Sequence, residues 1–498
     1  MLAATSPTPH STFTLQRWPI ALALCLMLSL STSGCGPTLA QMPFENPINT
    51  NKSGKDHTQT DKPAHMTHFV TVWQGTTVTL PTGRGTFDYD VDWNNDLVFD
   101  QKNVEGVITH IFKDEGPHTI RIRGRFPHMD SRRKNIEGKL LSVEQWGDIR
   151  WESMANMFKM RRSMVLNATD APDLSQVTDM SYMFEGAQIF NSSINHWNTS
   201  NVTNMSYMFS SAHSFNQPIN HWNVSNVTDM SGMFQYTREF NQPLDNWDTS
   251  NVADMKRTFE RAIVFNSNIS TWKTSNVTNM ANMFSYTKNF DQPLDAWDTS
   301  NVTNMANMFW SAENFNQPVG SWDTSNVTNM RNIFGYTHAF NQPLDTWNTS
   351  SVTNMKKAFA WARAFNQPIG TWDTSNVTDM AHMFAGTQFN QPIGNWDTSN
   401  VRDMGGMFSW ARAFNQPIGN WDTSNVRDMG SMFFNAASFN QPIGNWDVSN
   451  VFSMHHIFRH AITFNQDLSR WQLSNRIHTP PFQKPPSMND DFMPQKVK

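Results

Sequence analysis

A strict 25-residue period constrains this 498-residue chain more than any other feature of it. The period is marked by twelve tryptophans: Trp197, Trp222, Trp247, Trp272, Trp297, Trp322, Trp347, Trp372, Trp396, Trp421, Trp446 and Trp471. Neighbouring tryptophans are 25 residues apart except Trp372 and Trp396, which are 24 apart. Repetition at a fixed period of this length is the sequence signature of repeats that stack into a solenoid. We therefore expect most of the chain to consist of one structural unit, copied and stacked.

The consensus of the repeat separates constant positions from variable ones. Counted from the tryptophan as position 1, it reads W-D-T-S-N-V-T-N-M-x-x-M-F-x-x-A-x-x-F-N-Q-P-I-G-x. Two degenerate copies, which begin at Trp146 and Pro172, precede the first tryptophan of the series. A single copy is too small to bury its own apolar side chains, so each copy must cover its neighbours.

The constant apolar positions predict the secondary structure of each repeat. Positions 9, 12, 13 and 16 have the i, i+3, i+4, i+7 spacing of one helix face, as in Met280, Met283, Phe284 and Thr287. Positions 1, 6, 19 and 23 suit a short strand or extended segment facing the same interior. The predicted fold class is therefore an α/β solenoid, leucine-rich-repeat-like, with one short helix and one short strand or extended segment per 25-residue repeat, preceded by a small all-β sandwich.

The segment before the repeats has a different residue pattern. Short β-branched and aromatic runs, separated by Gly, Pro, Asn and Asp, fill residues 67–124, a pattern typical of a small β-sandwich. The expected domain organisation is a signal peptide of lipoprotein type at 1–35, a flexible linker at 36–64, the β-sandwich at 65–139, the repeats at 140–475 and a disordered tail at 476–498.

The N-terminus carries the pattern of a secretory signal. Arg17 precedes an apolar run at 18–30, and small residues follow it. Cys35 lies in a segment that resembles the lipobox of bacterial lipoproteins, although Thr32 stands where that family usually has leucine. Lipidation of Cys35 and ordinary cleavage after Ala40 are both open. In either case we predict an exported protein, either a cell-surface or outer-membrane lipoprotein or a secreted one.

Two segments resemble known families. The motif W-D-T-S-N-V-T-x-M-x-x-M-F-x-x-A-x-x-F-N-Q-P and the joining segment LLSVEQWGDIRWESM resemble the BspA-like leucine-rich-repeat surface proteins with Mycoplasma-lipoprotein-type repeats. YDVDW, THIF and GPHTIRI, upstream of them, resemble the PKD-like fold. The repeat resemblance implies an extracellular solenoid that attaches to proteins or cell surfaces. It supplies no catalytic residues.

Specificity is expected at the variable positions, on the outward side of the predicted helix. Exposed aromatic and basic side chains suit protein or sugar partners. The candidate binding surface comprises position 15 (Tyr236, Tyr286, Tyr336, Trp361, Trp410), position 14 (Trp310, Phe434) and position 17 (Arg363, Arg412). Alternatively, these aromatics pack on the next helix and lengthen the core.

Composition and motifs argue against catalysis and nucleic-acid binding. No nucleophile-elbow, phosphate-loop or dinucleotide motif occurs, so we predict no enzyme activity, no metal and no cofactor. A net charge of -5 argues against nucleic acid. The expected partner is a protein or glycan on a host, matrix or neighbouring cell, with membrane contact only through a lipid anchor. A structural spacer or self-associating surface-layer component, and an exported polysaccharide-active enzyme, remain as alternatives.

Overall fold

The computed structural model describes residues 66–132, 136–474, 477 and 484–494. The predicted signal peptide, Cys35 and the linker lie outside these residues. The described residues belong to one compact unit, Asp61–Lys498. Among them, no helix has both the length and the apolar character that crossing a membrane requires.

Eight strands lie at the N-terminal end of the described chain. They are β1 Phe69–Gln74, β2 Thr77–Leu80, β3 Asp88–Asp92, β4 Gln101–Val104, β5 Ile108–Ile111, β6 His118–Arg125, β7 Lys139–Gln145 and β8 Val165–Leu166. Six of them form a sheet in the order β4-β3-β6-β1-β7-β8, and β2 pairs with β5. β7 and β8 are parallel, whereas the other pairs are antiparallel. Because β8 lies within the first degenerate repeat, the sheet continues directly into the repeat region.

The repeats contain no α-helix, so the predicted α/β solenoid is wrong. No α-helix occurs in the described residues, and a 3-10 helix, Asp490–Phe492, follows the last repeat. The reason is a left-handed backbone at positions 11 and 15, as at Asn282 (φ 61°) and Tyr286 (φ 58°). A left-handed residue every fourth position interrupts a right-handed helix before it can propagate.

Positions 9 to 16 form three successive backbone turns instead of the helix. In one repeat, the N–H groups of Met283, Ser285 and Thr287 donate to carbonyls three residues earlier, at 3.2, 3.2 and 3.0 Å. The alternate N–H groups donate to the next repeat: Met280 to Asn304 O (3.0 Å), Asn282 to Ala306 O (2.9 Å), Phe284 to Met308 O (2.9 Å) and Tyr286 to Trp310 O (2.7 Å). A short helix would leave many of these groups unpaired at its ends, whereas the ladder pairs them between repeats.

The expected strand is reduced to a single bridge per repeat. Position 8 of one repeat forms a parallel bridge with position 8 of the next, from Asp179–Asn204 through to Asp428–Ser453. The extended segments between the bridges carry side-chain ladders. At position 20, for example, Asn341 N–H donates to Asn316 Oδ1 at 2.9 Å. Backbone and asparagine hydrogen bonds between neighbours therefore replace regular secondary structure.

The positions predicted to form the core do form it. Met280, Met283, Phe284 and Thr287 are fully buried, and the same positions are buried along the stack. Phenylalanine rings at position 13 lie face to face between neighbours, as in Phe309–Phe334, with centroids 5.5 Å apart and planes 3° apart. Because positions 9, 12, 13 and 16 face inward in the turns as well as in a helix, the apolar pattern identifies the core without distinguishing the two backbones.

The segment that carries β1 to β7, Phe69–Gln145, is called the β domain here, and it caps the first repeat. Carbonyls at positions 10 and 12 accept hydrogen bonds from the preceding repeat elsewhere in the stack, and the first repeat has no such neighbour. His128 Nε2 contacts Ala155 O at 2.9 Å, and Ser131 Oγ donates to Met157 O at 2.6 Å. These two side chains take the place of a preceding repeat.

Residues 484–494 pack against the last repeat, within the segment expected to be a disordered tail. Asn489 N–H donates to Asn465 Oδ1 at 2.9 Å, which adds one more step to the position-20 ladder. Leu468 N–H donates to Phe492 O at 2.9 Å, and Met488 is buried. The sequence Ser-Met-Asn thus takes the place of the phenylalanine and asparagine of a further repeat, and it covers the end of the last repeat.

Candidate functional site

The five aromatics predicted at position 15 share one backbone geometry. Tyr236, Tyr286, Tyr336, Trp361 and Trp410 all have φ between 58° and 61°. Each backbone N–H is held by the next repeat, as Tyr336 N–H is by Ala360 O at 2.7 Å. Tyr336 and Trp410 are 41% and 39% exposed, and the other three are half-buried. The ladder therefore fixes the backbone of each aromatic and leaves its side chain at the surface.

The first cluster on this surface is a cation held between two tyrosines. The Arg261 guanidinium lies 5.1 Å from the ring centroid of Tyr236 and 4.3 Å from that of Tyr286. Tyr286 also contacts Trp310, with centroids 4.9 Å apart. Arg261 was not among the predicted site residues. The repeat period could have indicated Arg261, because this residue occupies position 15 in the repeat between those of the two tyrosines.

Two further clusters contain the other predicted aromatics. Tyr336 stacks on Trp361, with centroids 6.2 Å apart and planes 23° apart. Trp410 packs on Phe434 at 5.9 Å, and the Arg412 guanidinium lies 5.2 Å from the Trp410 ring. Gly386, at position 15 of the intervening repeat, separates the two clusters. Arg363 is exposed two residues after Trp361.

The five position-15 aromatics are called the aromatic row here. They have features of both alternatives drawn from the sequence, a binding surface and packing between repeats. Their rings do contact the next repeat, as the packing alternative proposed, and they also remain partly exposed. Sequence reasoning missed a similar pair at position 11, where Tyr182 and Tyr207 stack with centroids 5.0 Å apart. The Lys159 ammonium lies 4.5 Å from the Tyr182 ring. The repetition of tyrosine at one position in two successive repeats was the signal for this pair.

Three successive aspartates at position 8 form an electrostatically unfavourable stack. Asp379, Asp403 and Asp428 follow one another in neighbouring repeats, and Lys356 Nζ lies 3.3 Å from Asp379 and 3.7 Å from Asp403. Burial raises the pKa of Asp403, and the charges of Asp379 and Asp428 raise it further. At exposed position 2 the effect is opposite, because hydrogen bonds from Ser300 lower the pKa of Asp298.

Replacing Asp403 with asparagine is therefore expected to stabilise the protein at pH 7. A carboxyl whose folded pKa is raised contributes stability below its usual pKa of 3.8 and loses it as pH rises through the folded pKa. The melting temperature of Asp403→Asn should exceed that of the wild type at pH 7, and the two should converge below pH 3.8. Asp298→Asn is the matched control and should have the opposite sign. A lower melting temperature for Asp403→Asn at pH 7 would contradict the assignment.

Two clefts of the described residues are lined by side chains other than the position-15 aromatics. One of about 430 Å³ lies between the β domain and the first repeats, lined by Arg84, His128, Arg132 and Glu152 among others. One of about 650 Å³ runs over prolines and glycines at positions 22 and 24, including Pro417. Across the described ranges, no group of three or more His, Cys, Asp or Glu side chains is placed to hold a metal ion.

Comparison with known proteins identifies the repeats. The model of a family described as "Mycoplasma protein of unknown function, DUF285" matches residues 152–266, 239–343, 312–397 and 385–493. The match confirms the Mycoplasma-type repeat predicted from the tryptophan-led motif. No curated protein and no solved structure matches the chain.

Proposed function

The chain belongs to the DUF285 family of repeat proteins, and on that premise we propose that it is a surface-exposed binding protein whose repeats contact a protein or glycan ligand. One observation carries the proposal. The constant apolar side chains of each repeat are buried, whereas positions 14, 15 and 17 vary and place aromatic and basic side chains at the surface. Stacked repeats commonly use such variable positions as extended binding surfaces.

The rigidity of the backbone supports this proposal. Each position-15 residue donates its N–H to the next repeat, so the aromatic side chains are displayed on a backbone that is already ordered. Aromatic side chains have few rotatable bonds, and preorganised ones lose little conformational entropy on binding. A row of them on fixed positions is therefore suited to recognition.

The remaining parts of the proposal concern location and the N-terminal region. We propose export through the leader at 1–35, with lipidation of Cys35 or cleavage after Ala40, and placement at the cell surface or secretion. The BspA-like and PKD-like resemblances are part of the same proposal. The hydrogen bonds of His128 and Ser131 support a capping role for the β domain. Catalysis has no part in the proposal.

The test is binding of the full-length protein to arrays of extracellular-matrix proteins and glycans. A variant with Tyr286→Ala, Tyr336→Ala, Trp361→Ala and Trp410→Ala should bind its ligand at least about tenfold more weakly, equivalent to about 1.4 kcal/mol. The loss should arise because the aromatic contact area is removed while the backbone ladder is retained.

The matched control changes four exposed threonines at position 7, namely Thr303→Ala, Thr328→Ala, Thr353→Ala and Thr378→Ala. Position 7 already holds alanine at Ala253, so the stack tolerates this change. Thermal unfolding of all three proteins would establish that they are folded. Equal binding by the aromatic variant and the wild type would refute the proposal that the position-15 aromatics form the binding surface. Equal losses of binding in both variants would refute it as well.

A further inference from the structure

Most charged side chains of the repeats between residues 231 and 447 fall into two sets of positions. Positions 10 to 18 of residues 231–413 carry the cations Arg238, Lys256, Arg257, Arg261, Lys288, Arg331, Lys356, Lys357, Arg363 and Arg412, and only Glu239, Glu260 and Glu313 as acids. We call this set the cationic face. Positions 24 and 2 carry Asp245, Asp248, Asp295, Asp298, Asp323, Asp345, Asp373, Asp397, Asp422 and Asp447, with Lys273 as the opposing charge. We call these aspartates the acidic edge.

The two sets are separated by about half of each repeat. Position 1 lies between positions 24 and 2, and position 14 is the midpoint of 10 to 18. These midpoints are 13 positions apart in a 25-residue repeat, so the connecting segments on either side are of nearly equal length. An extended ligand along one set therefore contacts a surface distinct from the other.

Many of the cations have no internal counter-charge. Arg257 pairs with Glu260 at 3.5 Å, Lys288 with Glu313 at 2.8 Å, and Lys356 with Asp379. Within the described part of the chain, the other members of the cationic face make no ion pair: Arg238, Lys256, Arg261, Arg331, Lys357, Arg363 and Arg412. Four of these, Arg238, Arg261, Arg363 and Arg412, lie at positions 15 and 17 beside the aromatic row.

We propose that the ligand of the cationic face is an acidic polysaccharide, a chain bearing sulfate or carboxylate groups. The inference rests on the proposed function and specifies the ligand class of the same surface. Guanidinium groups donate paired hydrogen bonds to sulfate and carboxylate, and ammonium groups bind them as point charges. The neighbouring aromatic rings provide flat apolar surfaces against which the C–H faces of sugar rings pack.

The spacing of the aromatics favours a periodic polymer over a folded protein. Tyr236, Tyr286 and Tyr336 occupy the same position in every second repeat. With neighbouring repeats about 4.8 Å apart, these side chains recur at about 10 Å along the stack. A protein partner usually inserts anchor residues into well-packed pockets, whereas the clefts described above lie on other surfaces. A linear, repeating ligand matches this linear, repeating face.

The acidic edge restricts a polyanion to one side of the repeats. Of its aspartates, Asp248 forms an ion pair, with Lys273 at 3.2 Å. Hydrogen bonds from the following serines lower the pKa of Asp323, Asp373 and Asp397, which keeps these carboxylates ionised. A polyanion is therefore attracted to one surface of a chain whose net charge is -5 and repelled from the other. Such binding must weaken as salt rises.

The experiment measures binding of heparin, neutral dextran and single-stranded DNA to the full-length protein. It is done at about 50 and about 300 mM NaCl, because electrostatic attraction is screened more strongly at the higher concentration. The cationic variant is Arg238→Gln, Lys288→Gln, Arg363→Gln and Arg412→Gln. Its matched control is Lys102→Gln, Lys139→Gln, Arg402→Gln and Arg427→Gln, four exposed cations elsewhere. We expect heparin to bind more tightly than dextran or DNA. The cationic variant should lose at least about tenfold in affinity, and the control should retain it.

Three outcomes would overturn the proposal. The first is binding of dextran or DNA as tight as that of heparin, and the second is heparin binding that is unchanged in the cationic variant. The third is concentration-dependent self-association, measured by sedimentation in the same buffers and abolished by the cationic variant. That result would show that the cationic face binds the acidic edge of a second copy of the chain. If heparin fails while an array ligand still depends on Tyr336 and Trp410, only the ligand class is wrong. If no ligand depends on the aromatics, the proposed function fails as well.

Discussion

Replacing Phe334 with alanine is expected to lower the free energy of unfolding by about 3–5 kcal/mol, the usual cost of removing a buried aromatic ring. Phe334 is fully buried at position 13. Its ring centroid lies 5.5 Å from Phe309 in the preceding repeat, 5.7 Å from Phe359 in the following one and 3.8 Å from Phe340 in its own. The cavity would therefore open across three repeats, where local collapse cannot fill it.

Urea denaturation of the full-length protein, followed by tryptophan fluorescence, would measure this loss. Tyr336→Ala is the matched control, because Tyr336 lies two residues away and is 41% exposed. Its cost should be within about 1 kcal/mol. Similar losses for the two variants would show that position 13 does not carry the core of the stack. In the Phe334→Ala variant, an early unfolding transition confined to the repeats around Phe334 would show that the damage is local, because each stacked repeat contacts only its neighbours.

Replacing Ser311 with proline is expected to cost about 3 kcal/mol or more. Ser311 lies at position 15 with φ 58°, and its N–H donates to Gly335 O at 2.8 Å. Proline has no N–H and cannot adopt a positive φ, so it breaks the ladder and distorts the last of the three turns. Thermal unfolding of the full-length variant would measure the effect.

Ser311→Gly is the matched control for the ladder. Glycine already occupies position 15 at Gly186 (φ 70°) and Gly386 (φ 71°), where it adopts the left-handed backbone without strain. The glycine variant should therefore lie within about 1 kcal/mol of the wild type. If proline were tolerated as well as glycine, positions 9 to 16 could not be the hydrogen-bonded turns described above.

The core of the stack could be predicted from the sequence, whereas its backbone could not. Met280, Met283, Phe284 and Thr287 were correctly assigned to one buried face. The same spacing is compatible with a helix and with turns that alternate right- and left-handed residues. Left-handed positions are often filled by Gly or Asn, yet here position 15 holds tyrosine, tryptophan and arginine as well. Hydrogen bonding between repeats outweighs the local preference, and that contribution is invisible in one repeat.

The position-15 aromatics of the candidate site were predicted, but Arg261 and the arrangement of the side chains were not. Position 15 was identified because its aromatics recur with the period. The sandwich of Arg261 between Tyr236 and Tyr286 depends on the distance between repeats and on the left-handed backbone, which point all three side chains to one surface. The capping role of His128 depends on contacts between distant parts of the chain, which no local pattern shows.

The most direct test of the binding face is hydroxyl-radical footprinting of the full-length protein with and without heparin, because footprinting reports on side chains rather than on the backbone. We expect oxidation of Tyr286, Tyr336, Trp361 and Trp410 to fall when the polymer is bound. Oxidation of the exposed Ile111 and Phe452, which lie on other surfaces, should not change. Protection of Phe452 or Ile111, with the position-15 aromatics left reactive, would contradict the claim that these variable positions form the binding face.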